Sequence, residues 1–463
     1  MTTYPYTDLG NTMRFVDLMR DSILYSEKSG WWGFSGKRWE RSKSVVIKKA
    51  MESVDSILGD AIGLPEEHAK DILKWHRVSQ GASRIEAITR LAVGFHELHF
   101  NEDLFNSCDH LLNCSNGTLD LDTGLLRAHN PADHISAISS CAHDEHATCP
   151  RWEKFIVEIT GGNEQLAKSL QQIAGYGASG FASERCLFIL YGMGANGKSI
   201  FLDTLTQTLG SYATVTDAQI LMSKDFGVGS NDLAALHDRR LVCASETQSN
   251  HRLDEARVKH ITGDTRVSAR FLYGEFFEFT VHFKLFLATN HKPSVTNTDK
   301  GIWDRLRLLP FTVTIPDDLQ IPRHELLATF AAEAPGILNW ISQGYALWRA
   351  QDSHLQLDDS ILDGTSEYRE DQDALGAFVN ECLIVAENAT MPKKDLYQLY
   401  RSWTEQQGMR PVSSRSLRTA MLERGFKESR SATMRGWAHL ALSHEGCDVK
   451  STQDSQRSWY GKD

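Results

Sequence analysis

Eight residues near the middle of the chain leave it little choice of local structure. Gly192, Met193, Gly194, Ala195, Asn196, Gly197, Lys198 and Ser199 spell GxxxxGKS, preceded by the apolar run CLFILY (186–191) and followed by the helical run SIFLDTLTQTL (199–209). Glycines at 192, 194 and 197 let the backbone curl so that successive N–H groups point inward. The helix that follows presents its positive N-terminus to the same point, so strand, turn and helix together make a cradle for phosphate. In such a cradle Lys198 is expected to reach the β- and γ-phosphates of ATP, and Ser199 to hold Mg²⁺ through its hydroxyl.

Hydrolysis needs an aligned water as well as a cradle. Two further apolar strands offer candidates at their ends. Arg240 to Ser245 runs into Glu246, where a parallel strand adjacent to the phosphate-loop strand would bring a catalytic base and a partner of the Mg²⁺ ion, the alternative being a surface carboxylate at a strand end. Lys284 to Thr289 runs into Asn290, which either orients the water and senses the γ-phosphate or is only a turn residue. These strands, with RLRLLPF (305–311), alternate with helical segments, the pattern of an α/β sheet.

The rest of the chain is organised around that core. Residues 1–149 mix strand-like and helical pieces, including WWGFSGKRWERS (31–42) and the turn-rich NGTLDLDTG (116–124). Trp152, Phe155, Ile156, Ile159, Leu166, Leu170 and Ile173 recur at helical steps, which predicts amphipathic helices over 150–181. The α/β core extends over 182–350, the charged stretch 351–373 reads as a linker, and 374–463 as a small closing domain. In that last part Leu396, Leu399, Tyr400 and Trp403 share a helix face. A second helix starts at Ser413, with Arg415 and Arg418 on its outer side and a basic strand-like segment after it. This arrangement resembles a winged helix, with DNA binding or a protein-docking face as its two readings.

Charge narrows the partners. The net charge of −11 excludes a surface coated for nucleic acid, yet residues 393–435 hold ten basic against four acidic residues. Hydrophobic residues at 41% and charged residues at 24% exclude a disordered chain. No apolar run approaches membrane-span length and the N-terminus lacks a signal pattern, so a cytoplasmic protein with no membrane association is expected. The eight cysteines form no CxxC pair and are expected to be reduced. Cys141, His143, His146 and Cys149 carry zinc-type donors at a spacing that fits no standard zinc knuckle, against the simpler reading of a loop leading into Pro150.

The full set of motifs resembles superfamily 3 helicases, and more closely the phage and plasmid primase-helicases, which include poxvirus-type proteins. The resemblance is carried by TDLGNTMRF (7–15), GKRW (36–39), NGTLDLDTG (116–124), CPRW (149–152), GANGKS (194–199), ASET (244–247), VKHITGDTRVSARFLYGEFFEF (258–279), LATNHKP (287–293) and WDRLRLLPF (303–311). It implies an AAA+-type ATPase, a hexameric ring with ATP between subunits, an arginine finger from the neighbour, 3′ to 5′ translocation and a hairpin projecting into a DNA-filled channel. Arg305 stands in the finger's place, with Arg307 as competitor because Asp304 replaces the first of the family's two arginines. On the hairpin around Leu272, Tyr273, Gly274 and Glu275, Arg270 and Tyr273 are the expected DNA contacts, followed by Lys259 and Arg266. Gly274 is expected to supply the positive φ of its turn, and core-facing aromatics are the alternative. The helices at 150–181 fall where the family carries an oligomerisation collar, the alternative being helices packed on their own domain. Only about 30 residues precede WWGFSGKRW, too few for a primase domain, so a separate primase or polymerase is the expected partner. A DNA-dependent ATPase that loads or remodels without unwinding would use the same residues. A small-molecule phosphotransferase would need neither the trans arginine nor the hairpin.

Overall fold

The computed structural model describes residues 4–223, 230–245, 252–272, 274–295, 300–409, 411–430, 435–447 and 449. The chain forms two compact units, one of residues 1–294 with 299–365 and one of 295–298 with 366–463.

The first unit opens with α1 (Asp8–Met19), the hairpin strands β1 (Ile23–Ser26), β2 (Gly30–Phe34) and β3 (Trp39–Glu40), then α2 (Lys43–Asp55), α3 (Glu66–Ser79) and α4 (Ala82–Ala92). Phe15, Val16, Ile23, Val46, Val54 and Ile88 make a small core of their own beneath these helices. A second three-stranded antiparallel sheet, β4 (Leu111–Cys114), β5 (Gly117–Asp120) and β6 (Leu125–Arg127), follows, containing the NGTLDLDTG turn.

Next come α5 (Pro150–Ile159) and α6 (Glu164–Ala178), then the α/β layer: β7 (Leu187–Tyr191), α7 (Lys198–Leu209), β8 (Ala213–Asp217), α8 (Ser230–Ala234), β9 (Leu241–Ser245) and α9 (Glu255–Gly263). The hairpin β10 (Arg266–Ala269) and β11 (Phe277–Thr280) interrupts it before β12 (Lys284–Thr289), α10 (Lys300–Trp303) and β13 (Leu306–Pro310). The five strands are parallel in the order β13-β7-β12-β9-β8. Every residue of β12 and all but the last of β7 are buried, which is why both read as unbroken apolar runs: helices cover both faces of a parallel sheet. The edge strand β8 (ATVTD) lacks the buried apolar run of its neighbours: it is short, and its central Val215 faces outward.

The N-terminal edge of this sheet is fixed by two buried cations. Arg240 donates to the carbonyls of Ala178 (3.1 Å) and Cys108 (3.2 Å), and Lys284 donates to those of His282 (3.0 Å) and Phe181 (3.2 Å). Burial holds the Lys284 ammonium well below the usual lysine range.

After the sheet, α11 (Arg323–Ala332) and α12 (Ala334–Arg349) return across α5 and α6. Two glycines set the closest crossing: a Cβ on Gly175 would lie 2.0 Å from the Tyr345 nitrogen, and one on Gly344 would lie 1.9 Å from the Gln171 oxygen. Trp152, Phe155, Ile156, Ile159, Leu166, Leu170 and Ile173 are all buried in the main core against these partners. Glu333 caps α5 by accepting from the N–H groups of Arg151 (3.0 Å) and Trp152 (2.9 Å). The apolar faces that suggested a collar over 150–181 are therefore packed against partners within the chain.

The stretch 351–373 is likewise not an extended linker. Residues Asp359–Gln372 form α13, with Ile361 and Tyr368 fully buried at i and i+7 and the charges on the outer face.

The second unit continues with α14 (Ala374–Cys382), β14 (Leu383–Pro392), α15 (Lys393–Gln406), α16 (Ser414–Glu423), β15 (Glu428–Arg430) and β16 (Arg435–Leu442). Its strands form an antiparallel sheet in the order β14-β16-β15 over a core of Phe378, Leu396, Tyr400, Trp403, Leu417 and Trp437. Among the described residues no helix is long and apolar enough to cross a membrane.

Candidate phosphate site and nucleic-acid interface

The loop between β7 and α7 takes the shape its glycines require. Gly194, Ala195 and Gly197 all have positive φ (113°, 47° and 83°), a region that L side chains rarely enter, so two of the three are glycine. Gly192 is required for space instead: a Cβ there would stand 2.1 Å from the Phe311 oxygen and 2.2 Å from Asn196 Nδ2. The loop is braced by residues far off in sequence, because Asn196 donates to the Phe311 carbonyl (2.9 Å) and Ile315 N–H to the Ala195 carbonyl (3.0 Å). No local pattern could have signalled that brace.

Lys198 begins α7 and is buried. Its ammonium donates to the Gly192 carbonyl (2.5 Å), to Asn196 Oδ1 (3.0 Å) and to Asn290 Oδ1 (3.2 Å). All three partners are neutral, and burial lowers the Lys198 pKa. A phosphate bringing negative charge would reverse that direction. Ser199, on the first turn of α7, is exposed. Asn290 reaches Lys198 because β12 lies directly beside β7, with Thr289 in register with Tyr191, and the Thr289 hydroxyl ties off the turn by donating to the His291 carbonyl (2.6 Å).

That sheet order corrects one expectation. The strand leading to Glu246, β9, is not adjacent to the phosphate loop: β12 separates it from β7. Glu246 itself lies outside the described residues. The pieces present, a glycine-lined cradle at a helix N-terminus with a cation and a hydroxyl, fit a nucleotide phosphate and one side of a divalent cation.

Arg305 is placed at the opposite end of the sheet. Leu306 pairs with Leu187 and Pro310 with Tyr191, so Arg305 precedes β13 where β7 begins, not where the phosphate loop begins. Its guanidinium donates to the Gly301 carbonyl (2.5 Å), and its Nε is buried with no partner. Arg307 donates to the carbonyls of Asp304 (3.0 Å) and Leu306 (2.8 Å).

Of the expected DNA contacts, Arg270 sits exposed at the start of the β10–β11 loop, its guanidinium 4.8 Å above the Phe276 ring. Phe271, Leu272 and Phe276 are 52%, 70% and 63% exposed, which makes the tip apolar as well as basic. Sequence reasoning missed this apolar surface by treating the aromatics as either stacked on DNA at Tyr273 or turned to the core. Tyr273 lies outside the described residues. Gly274 does not have a positive φ; its N–H closes the turn on the Phe271 carbonyl (2.8 Å). Arg266 is partnered by Asp103 (3.4 Å) and Glu278 (3.7 Å), and Lys259 is half-buried on α9.

In the second unit Arg415 is exposed on α16, whereas Arg418 is held by Glu428 (2.5 Å), which also binds Lys393 (2.5 Å). The two cations hold the Glu428 carboxyl down to about 2. The donors Cys141, His143, His146 and Cys149 do not converge: Cys141 and Cys149 are buried, while His146 points out beside Glu145. Among the described residues the one group with metal-type convergence is His110, Asp120 and Asp122, and there Asp122 already accepts from Tyr345 (2.7 Å) and Arg349 (3.0 Å).

Three family models match the chain in order: D5 N terminal like over 12–161, a family of unknown function over 190–305, and poxvirus D5 protein-like over 370–437. Acanthamoeba polyphaga mimivirus "Putative helicase L207/L206" is 26% identical over 64% of this chain and 33% of its own length. Frog virus 3 "Putative helicase 022R" is 25% identical over 46% of this chain and 24% of its own. The chain thus spans a third or less of these two relatives. The solved apo C-terminal region of NrS-1 aligns with 93% of this chain and 99% of its own at 10% identity and a TM-score of 0.44, a likeness that carries no argument about the site.

Proposed function

From its membership of the D5-like primase-helicase family, we propose that this chain is an ATP-dependent DNA helicase of superfamily 3, built on an AAA+-type core and working as a hexameric ring in replication. The observation that carries the reading is the meeting of Lys198 with Asn290 at the mouth of a glycine-lined cradle. A phosphate loop alone serves many enzymes; a polar residue at the end of the neighbouring strand adds a means of sensing the γ-phosphate.

In this reading Gly192, Gly194, Ala195, Asn196 and Gly197 wrap the ATP phosphates, and Lys198 exchanges its carbonyl partners for phosphate oxygens. Ser199 and Glu246 would hold Mg²⁺, whose charge offsets that of the phosphates, and Glu246 also serves as base. Arg305, on the far end of β13 from its own cradle, acts on the neighbour's ATP, which couples hydrolysis to ring closure. The β10–β11 tip meets single-stranded DNA through Arg270, Phe276 and Tyr273, contacts that grip backbone and base faces without reading sequence. The second unit follows the helix–strand–helix–helix–strand–strand order of a winged helix, with Arg415 toward duplex DNA. A separate primase or polymerase is the expected partner.

The test is unwinding of a forked duplex by the intact chain and by Lys198→Ala. ATP-dependent strand separation that disappears in the variant supports the helicase. ATP hydrolysis without strand separation assigns the chain to loading or remodelling instead.

A further inference from the structure

The segment WWGFSGKRWERS takes no part in the phosphate site or the hairpin, yet it borders two adjoining clefts of the first unit. The smaller, about 460 Å³, is lined by Trp32, Arg38, Arg41 and Arg239 among others. The larger, about 850 Å³, is lined by Trp31, Arg41, Lys43 and Arg90. Arg41 lines both.

Arg38, in the smaller cleft, is paired with Glu40 (3.1 Å). Arg14, Arg84 and Arg127 are each paired with an aspartate. Among the described residues Arg41, Lys43, Arg90 and Arg239 have no carboxylate within ion-pair distance. Arg239 Nε is, moreover, buried without any partner. Glu40, Asp238 and Glu86 also line these walls, so the five basic residues of the two clefts exceed the acidic ones by two, on a chain of net charge −11, a local balance that favours uptake of an anion. The N-terminus of the 13-residue helix α2 adds to the field, since its cap Ser42 lines the smaller cleft and Lys43 the larger.

The spread of the charges identifies the anion. They do not converge on one point as for a single phosphate; they are spread over two clefts that share Arg41, each with a tryptophan in its wall. Backbone-tracking cations with interleaved aromatics are the features that hold single strands. The smaller cleft also abuts the hairpin, because His237 in its wall packs edge-on against Phe277 and Phe279 of β11, with ring centres 5.7 and 5.2 Å apart.

We propose that these clefts, through Arg41, Lys43, Arg90 and Arg239, form a second track for single-stranded DNA beside the hairpin. The inference rests on DNA being the partner of this chain, but not on unwinding or on ATP.

It is tested by fluorescence anisotropy of a labelled oligo-dT strand of 20 nucleotides with the intact chain, without nucleotide, over a series of salt concentrations. Arg41 and Arg90 are exposed, so the double variant Arg41→Gln/Arg90→Gln should fold. It is expected to bind about tenfold more weakly and to lower the salt slope by about 1.4, near 0.7 for each lost phosphate contact. The charge-keeping pair Arg41→Lys/Arg90→Lys should restore the slope. Unchanged affinity and slope in the glutamine variant overturn the track. If Arg270→Ala alone then loses binding, the hairpin reading survives without it. A wild-type chain with no affinity for the strand overturns both.

Discussion

Two inactive variants of this protein should restore one another when mixed. The reason is geometric. Arg305 stands five residues before Pro310, which is in register with Tyr191 at the edge of the phosphate loop. At about 3.3 Å per residue that is roughly 16 Å along the strand, further than an arginine side chain extends toward its own cradle. Lys198→Ala should abolish hydrolysis in the subunit that carries it, and Arg305→Ala should cost about 10³- to 10⁵-fold at the neighbour's site. In a ring of head-to-tail interfaces assembled from equal parts of the two variants, about a quarter of interfaces join an intact Lys198 to an intact Arg305. Steady-state ATPase of the mixture, after subunit exchange, is therefore expected near a quarter of the wild-type rate, from two components that are each silent. A mixture as inactive as its components would refute trans action by Arg305. Recovery with Arg307→Ala in place of Arg305→Ala, and not with Arg305→Ala, would move the finger to Arg307.

Other consequences are equally measurable. Asn290→Ala should leave ATP binding, followed by thermal protection, largely intact while slowing turnover roughly 10²-fold, because a group positioned for the reacting phosphate is lost and the cradle is not. Gly344→Ala places a methyl 1.9 Å from the Gln171 carbonyl and should force α6 and α12 apart. Overpacking of that kind costs about 1–3 kcal/mol, visible as a lowered midpoint in urea. Arg415→Gln should weaken binding to duplex DNA more than Arg418→Gln, since Glu428 already neutralises Arg418. The same pair sets a pH dependence. With its folded pKa depressed to about 2, Glu428 contributes stability that is present above the ordinary glutamate value and is lost as pH falls toward 2. In Arg418→Gln the carboxyl titration, followed by NMR, should move back up, and an unmoved midpoint would discount the ion pair.

The sequence was most informative where chemistry is local. A phosphate cradle depends on consecutive backbone units, so Gly192, Gly194, Gly197, Lys198 and Ser199 announce it without any knowledge of the fold, as do the apolar strands β7, β9, β12 and β13. Asn290 was legible as a strand-end residue, and its meeting with Lys198 follows once β12 lies beside β7. What failed did so at longer range. The helices at 150–181 were amphipathic as read, but periodicity gives a buried face and not its partner; α11 and α12, some 160 residues on, supply that partner. Charge hid α13, because a solvated acidic face outweighs two buried side chains in composition. Gly274 was taken for a positive-φ residue from its type, whereas the hydrogen bond to Phe271 closes the turn without one. Local backbone chemistry was thus settled by the sequence alone. Strand order, the reach of Arg305 and the unpaired cations around Arg41 were settled only by tertiary packing, since each depends on which distant residue is brought near and no local pattern encodes that distance.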